Sequence, residues 1–96
     1  MVTEDFVKVL NAVAEVTEVD SKAILSSSKK MEYVEARILV SKVMNQMGYH
    51  PSLIARKLRK TTNNIRLLIE AYSQREKSDK ILSKMYSEIV KKLSIN

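Results

Sequence analysis

Apolar residues recur along this chain with the spacing of helices, not of strands. Phe6, Val9, Leu10 and Val13 repeat at i, i+3, i+4 and i+7, which puts one apolar face on a first helix. It is expected to open at Thr3, an N-cap residue, with Glu4 and Asp5 at the positive helix start, and to end near Thr17. Asp20 can cap a short second helix carrying Ala23, Ile24 and Leu25. The run Ser26-Ser27-Ser28-Lys29-Lys30 reads as a loop, because serine side chains compete with the helix for backbone hydrogen bonds. A long third helix is predicted from about Met31 to Met47, buried along Ala36, Leu39, Val40, Val43 and Met47. Gly48 stops it, as the residue that takes a left-handed conformation without penalty. Pro51 opens a fourth, short helix to about Arg59, where its missing N–H costs nothing. A fifth begins around 61–63 and carries Ile65, Leu68, Ile69 and Tyr72. After a break near 77–79, a last helix at about 79–94 carries a broad stripe of Ile81, Leu82, Met85, Tyr86, Ile89 and Leu93. The Met and Tyr residues read mostly as core or half-buried packing.

The 96 residues suffice for one domain, 1–96, and not for two. One Gly and one Pro leave too few turns for an all-β chain. The fold class that remains is all-α, a compact bundle of five to six helices. No Cys means no disulfide framework and no thiolate metal site. One Gly cannot build a glycine-rich phosphate loop, so no nucleotide cofactor is expected, and no cofactor of any kind. His50, the single His, sits beside Pro51 and is expected to cap a helix or face solvent. No carboxylate pair or nucleophile–base pair emerges from the spacing, so the sequence predicts no enzyme. Glu4 and Asp5 stand where a signal peptide would be positive, and no apolar run is long enough to span a membrane. A cytoplasmic protein with no membrane partner is expected. The initiating Met and short length favour a stand-alone protein over a piece of a larger one.

Charge changes the picture. The formal net charge is +6, and it is unevenly placed. Residues Met1–Asp20 hold five acids and one base, whereas Ala36–Ile69 hold seven bases and no acid. An acid-free basic stretch is the electrostatic footprint of a nucleic-acid binder. Inside it, Pro51–Glu70 has the spacing of a helix-turn-helix: a short helix, about three turn residues and a second helix. Ala55 is small where the helices cross, Ile54 and Leu58 fill the first face, and Ile65 and Leu68 seat the second. The turn Arg59-Lys60-Thr61 lacks the usual Gly. A positive φ at a non-Gly residue costs on the order of 1 kcal/mol, so a turn of different shape is expected.

The first turn of the second helix offers Thr62, Asn63, Asn64 and Arg66, side chains that can reach base edges in a major groove. Thr61 or Thr62 can serve as the N-cap, but two successive asparagines exceed what capping needs. Arg56, Lys57, Lys60 and Thr61 belong to the same basic surface, and the Ser27-Ser28-Lys29-Lys30 loop suits phosphate oxygens or a narrow minor groove. Double-stranded DNA is the partner these residues predict. A helical module for a protein partner is the alternative. The C-terminal stripe would then serve a homodimer or a larger replication or transcription protein, although packing within the chain is the first use for it.

Taken together, Ile24-Leu25-Ser26-Ser27-Ser28-Lys29-Lys30, then Val34-Glu35-Ala36-Arg37, then Ile54-Ala55-Arg56-Lys57-Leu58, resemble the C-terminal DNA-binding domain of the bacterial replication initiator DnaA, a Trp-repressor-like helix-turn-helix fold. The likeness spans about Val13 to Tyr72. It implies that Lys29 enters the minor groove, that Lys30 and the serines hold phosphates, and that Arg37, the Arg of an Ala-Arg pair, contacts DNA. It implies a role in replication initiation or its control. Two departures stand out. The Gln that usually follows the Arg is Ile38 here, and the signature Arg-Asp-His-Thr-Thr-Val is replaced by Lys60-Thr61-Thr62-Asn63-Asn64-Ile65. The residues that read bases are therefore different. The ATPase module that precedes this domain in the family is absent from the chain.

Overall fold

Among the described residues six helices form where the apolar spacing puts them, and their ends follow from local chemistry. The computed structural model describes residues 1–94. Helix α1 spans Val2–Thr17, α2 Ser21–Ile24, α3 Met31–Gln46, α4 Pro51–Leu58, α5 Thr62–Arg75 and α6 Lys80–Leu93. No strand occurs among the described residues, so the chain is all-α.

The caps are specific. Asp20 accepts from the Lys22 N–H at 2.8 Å, Thr61 from the Asn64 N–H at 3.1 Å, and Asp79 from the Leu82 N–H at 3.0 Å. His50 Nδ1 accepts from the Ser52 N–H at 3.0 Å, just before Pro51 at the first helical position. Each cap satisfies one of the N–H groups that a helix start leaves without a partner. Thr3 does not serve this way. It lies inside α1, which starts two residues earlier than the capping argument placed it, after Met1 and without a side-chain cap. Gly48 ends α3 with φ 102°, and the Tyr49 N–H closes back onto the Met44 carbonyl at 3.1 Å.

Helix α3 runs through the middle of the bundle. It packs on α1, α5, α4 and α2, and more lightly on α6, while α6 lies chiefly on α1. This central position buries α3 on nearly every side: Ala36 to Val43 are buried except half-buried Lys42. A helix enclosed in this way carries no clean amphipathic stripe, which is why Ile38 and Ser41 were not legible as core. The last helix turns out narrower than its apolar spelling. Leu82 and Ile89 are buried and Met85, Tyr86 and Leu93 half-buried, but Ile81 is 73% exposed. Leu82, Met85, Tyr86 and Ile89 share one face; Ile81 is rotated about 100° from Leu82, toward solvent. Met47 is likewise exposed, as the residue that caps α3, and so are Met1 and Met31. The tyrosines do pack as expected, with Tyr72 buried and Tyr33, Tyr49 and Tyr86 half-buried.

One polar knot joins the far end of the bundle. Arg75 on α5 bonds Glu35 on α3 and Asp79 before α6, each at 2.7 Å. Hydrogen bonds to these carboxylates hold the Arg75 guanidinium pKa above its ordinary value. The Leu82 N–H and then Arg75 hold the Asp79 carboxyl below its own.

The core contains one unpaid polar group. The Ser41 hydroxyl is fully buried in α3 and has no hydrogen-bond partner among the described residues. A buried donor without a partner costs about 1–3 kcal/mol. Ser41→Ala is therefore expected to stabilise the fold by roughly 1 kcal/mol, read as a higher urea midpoint with an unchanged slope.

Candidate nucleic-acid interface

The basic face is assembled from three pieces: the loop after α2, the turn between α4 and α5, and the first turns of α5. Each is held by identifiable bonds.

The α2–α3 loop is held from beneath by Arg37. This residue is 4% exposed. Its Nε donates to the Ile24 carbonyl at 2.7 Å, and its Nη2 to the carbonyls of Ser26 at 2.8 Å and Ala23 at 3.2 Å. A helix end leaves its last carbonyls without partners, and a cation suits that negative end. Arg37 thus caps α2 from the side. Nε and Nη2 are thus engaged in positioning the loop, whereas Nη1 makes no hydrogen bond among the described residues and Arg37 lines the cleft described below. Burial alone lowers the pKa of its guanidinium.

Inside the loop, Ser26 Oγ donates to the Ala23 carbonyl at 2.7 Å and accepts from the Ser28 N–H at 3.2 Å. Ser28 Oγ accepts from the Lys30 N–H at 3.4 Å. These local bonds shape the turn; half-buried Ser28 accepts there, and its O–H donates to no group among the described residues. Ser27 and Lys29 are exposed. Lys30 caps α3 by backbone, and its ammonium lies 5.7 Å from the centre of the Tyr33 ring.

The α4–α5 turn keeps the left-handed residue that a three-residue turn favours, without a glycine. Arg59 adopts φ 61°, ψ 42°, and the Lys60 N–H closes onto the Ala55 carbonyl at 2.9 Å. The expected change of shape does not occur; the chain bears the cost of roughly 1 kcal/mol instead. Lys60 then folds back. Its ammonium donates to the Ser26 carbonyl at 3.0 Å, so one carbonyl receives both Arg37 and Lys60. Burial, then Arg37 and Lys29, lower the Lys60 pKa. Three ion pairs form among the described residues, and none includes Lys29, Arg37 or Lys60.

Helix α5 buries Ile65, Leu68 and Tyr72. Thr61 makes the cap, and the side chains of half-buried Thr62 and exposed Asn63 and Asn64 form no hydrogen bond among the described residues. Capping therefore does not account for the asparagines. They point differently. Asn64 lines a cleft of about 300 Å³ with Ser27, Lys29, Arg37 and Lys60, walled by Val34 and Leu68. Asn63 lies on the outward face. Arg66 lines a shallower hollow on the opposite flank, beside Asn45 and Glu70.

One residue of this face escaped the sequence reading. Leu67 is 54% exposed. It stands four residues after Asn63 and three after Asn64, so it shares the outward face. The signal was present as helical spacing from Asn63, but an aliphatic residue in an apolar-rich helix reads as core.

The remaining basic residues divide. Arg56 is exposed on α4 and bonds no carboxylate among the described residues. Lys57 is turned toward α1, where its ammonium donates to Thr3 Oγ1 at 2.7 Å. The structure thus gathers Ser27, Lys29, Lys60 and Asn64 around one cleft, with Arg37 under it and Lys57 away from it.

Replacing Arg37 by Met keeps the stem, takes the donor from the Ile24 carbonyl and leaves the Ala23 and Ser26 carbonyls to Ser26 and Lys60. Arg37→Met is expected to cost about 3 kcal/mol in denaturant melts. Amide exchange of the Ser26–Lys30 loop should accelerate more than that of α6.

No family model, no curated protein and no solved structure matches the chain.

Proposed function

We propose that this chain binds double-stranded DNA through α4 and α5 acting as a helix-turn-helix, with the start of α5 in the major groove and the Ser26–Lys30 loop on the flanking backbone or minor groove. The observation that carries this reading is the cleft where Lys29, Arg37 and Lys60 meet Asn64, none of the three cations paired with a carboxylate among the described residues. Lys29, Lys30, Arg56 and Arg59 are exposed, and so are the two asparagines at the start of α5, whose side chains form no hydrogen bond among the described residues. Lysine and arginine contacts to phosphate supply sequence-independent affinity that falls steeply with salt. Asn63, Leu67 and Arg66 supply discrimination: the Asn63 amide can pair with adenine, the guanidinium with guanine, and the Leu67 methyls can meet a thymine methyl. The likeness of the stretch from about Val13 to Tyr72 to the DnaA DNA-binding domain supports the same reading, and with it a role in replication initiation or its control. No catalytic activity is part of this proposal.

A second reading is a module that docks a protein or a second copy. Exposed Ile81 favours it, together with an apolar hollow of about 330 Å³ between α3 and α6 lined by Val43, Met47, Tyr86, Val90 and Leu93.

Fluorescence anisotropy with a DnaA-box duplex, a scrambled duplex and a random pool, at low and physiological salt, tests the first reading. Tight, salt-sensitive binding to all three at low salt is expected. Asn63→Ala or Leu67→Ala should lower the preference for the best sequence, at a cost of about 1–2 kcal/mol, and leave random binding intact. Arg56→Ala should weaken every duplex alike. Absence of binding at low salt would overturn the reading. A mass that rises with concentration in light scattering, without DNA binding, would put the second reading in its place.

A further inference from the structure

The cleft between the loop and α5 has an unusual charge environment. Three cations line it: buried Arg37, half-buried Lys60 and exposed Lys29. Arg37 and Lys60 share one carbonyl as acceptor, at 2.8 and 3.0 Å. A neutral carbonyl satisfies hydrogen bonds but does not cancel two positive charges, and no carboxylate pairs with any of the three cations among the described residues. Like charges gathered without a counterion are unfavourable. Burial first, and then the repulsion of Arg37 and Lys29, lower the Lys60 pKa. An external anion would relieve this arrangement.

The second observation is geometric. The cleft is bounded on one side by the loop and on the other by the first turns of α5. A helix in the major groove and a loop on the adjoining minor groove flank a single backbone strand. The space between the two elements is where that strand must pass. Val34 and Leu68 add an apolar wall to the cleft, suited to the face of a deoxyribose.

We propose that this cleft seats one phosphodiester of the duplex, with Lys60 beneath it, Lys29 over it from the loop and Asn64 against it from α5. The inference rests on the DNA reading and refines it. It places Lys29 on the backbone strand, in contrast to the minor-groove insertion implied by the resemblance. It also gives Lys60 a double task, as the tie between turn and loop and as a phosphate ligand. A phosphate held from both elements would make loop and helix bind as one unit.

A double-mutant cycle on duplex binding tests this, because two side chains on one phosphate do not act independently. Lys29→Gln and Lys60→Gln should each weaken a random duplex about tenfold, and both together should also weaken it about tenfold. The slope of log affinity against log salt should fall by about one in all three variants, the loss of one phosphate contact. Arg56→Gln should multiply its effect with either. Circular dichroism and melting establish that each variant is folded. Lys29 is exposed and makes no side-chain hydrogen bond among the described residues, so its replacement spares the fold. Should Lys60→Gln fail to fold, Asn64→Ala takes its place in the cycle with Lys29→Gln. Losses that multiply to about a hundredfold would overturn the shared phosphate and leave the DNA reading standing. So would a Lys29→Gln protein that binds like wild type. Failure of the wild-type chain to bind any duplex at low salt would remove the DNA reading, and this inference with it.

Discussion

The backbone carbonyl of Ser26 is the junction on which the basic face depends. It accepts from Arg37 Nη2 and Lys60 Nζ, one from the central helix and one from the α4–α5 turn. A carbonyl has two lone pairs, so both bonds are allowed. The consequence is that three segments distant in sequence meet at one oxygen. The loop after α2 cannot drift from α3 without leaving Arg37 buried and unpaired, which is the expensive outcome for a cation. Nor can it drift from the turn without releasing Lys60.

That junction explains a division of labour among the basic residues. Arg37 and Lys60 carry charge that is partly or wholly withdrawn from solvent and committed to architecture. Lys29, Lys30 and Arg56 are exposed and screened only by water and salt. Lys57 is turned to α1 and bonds Thr3. Net charge alone does not separate these groups; accessibility and hydrogen bonding do. Four of the acids are committed elsewhere. Glu35 and Asp79 are committed to Arg75 at the far end, Asp5 bonds the Tyr49 hydroxyl, and Glu15 pairs with Lys92 at 3.3 Å.

Helix ends orient the face. Pro51 and His50 start α4 abruptly, and the left-handed Arg59 stops it after eight residues. Thr61 then starts α5 at once. With only 59–61 between them, α4 and α5 have little freedom in their crossing. Small Ala55 allows them to approach, being buried at 4% exposure beside Ile54 and Leu58. The first turn of α5, with its two unbonded asparagines, is thereby held out from the bundle.

The sequence by itself determined the helices and most of their ends. Apolar period, Asp20, Pro51, Thr61 and Gly48 act within a few residues of where they sit, so local chemistry suffices to read them. It also located the basic stretch and the candidate loop and helix. Other features were decided only by tertiary structure, because they depend on contacts between segments far apart in the chain. Arg37 reads as one more surface cation until α2 is laid against α3, thirteen residues away from its Ile24 partner. Ile81 and Leu82 are equally apolar, and only the placement of α6 on α1 selects which one is buried. The strained φ of Arg59 costs too little to forbid, and the packing of α4 against α5 decides that it is borne. Leu67 looks like core because hydrophobicity carries no direction; the side of α5 that faces α3 and α4 supplies it.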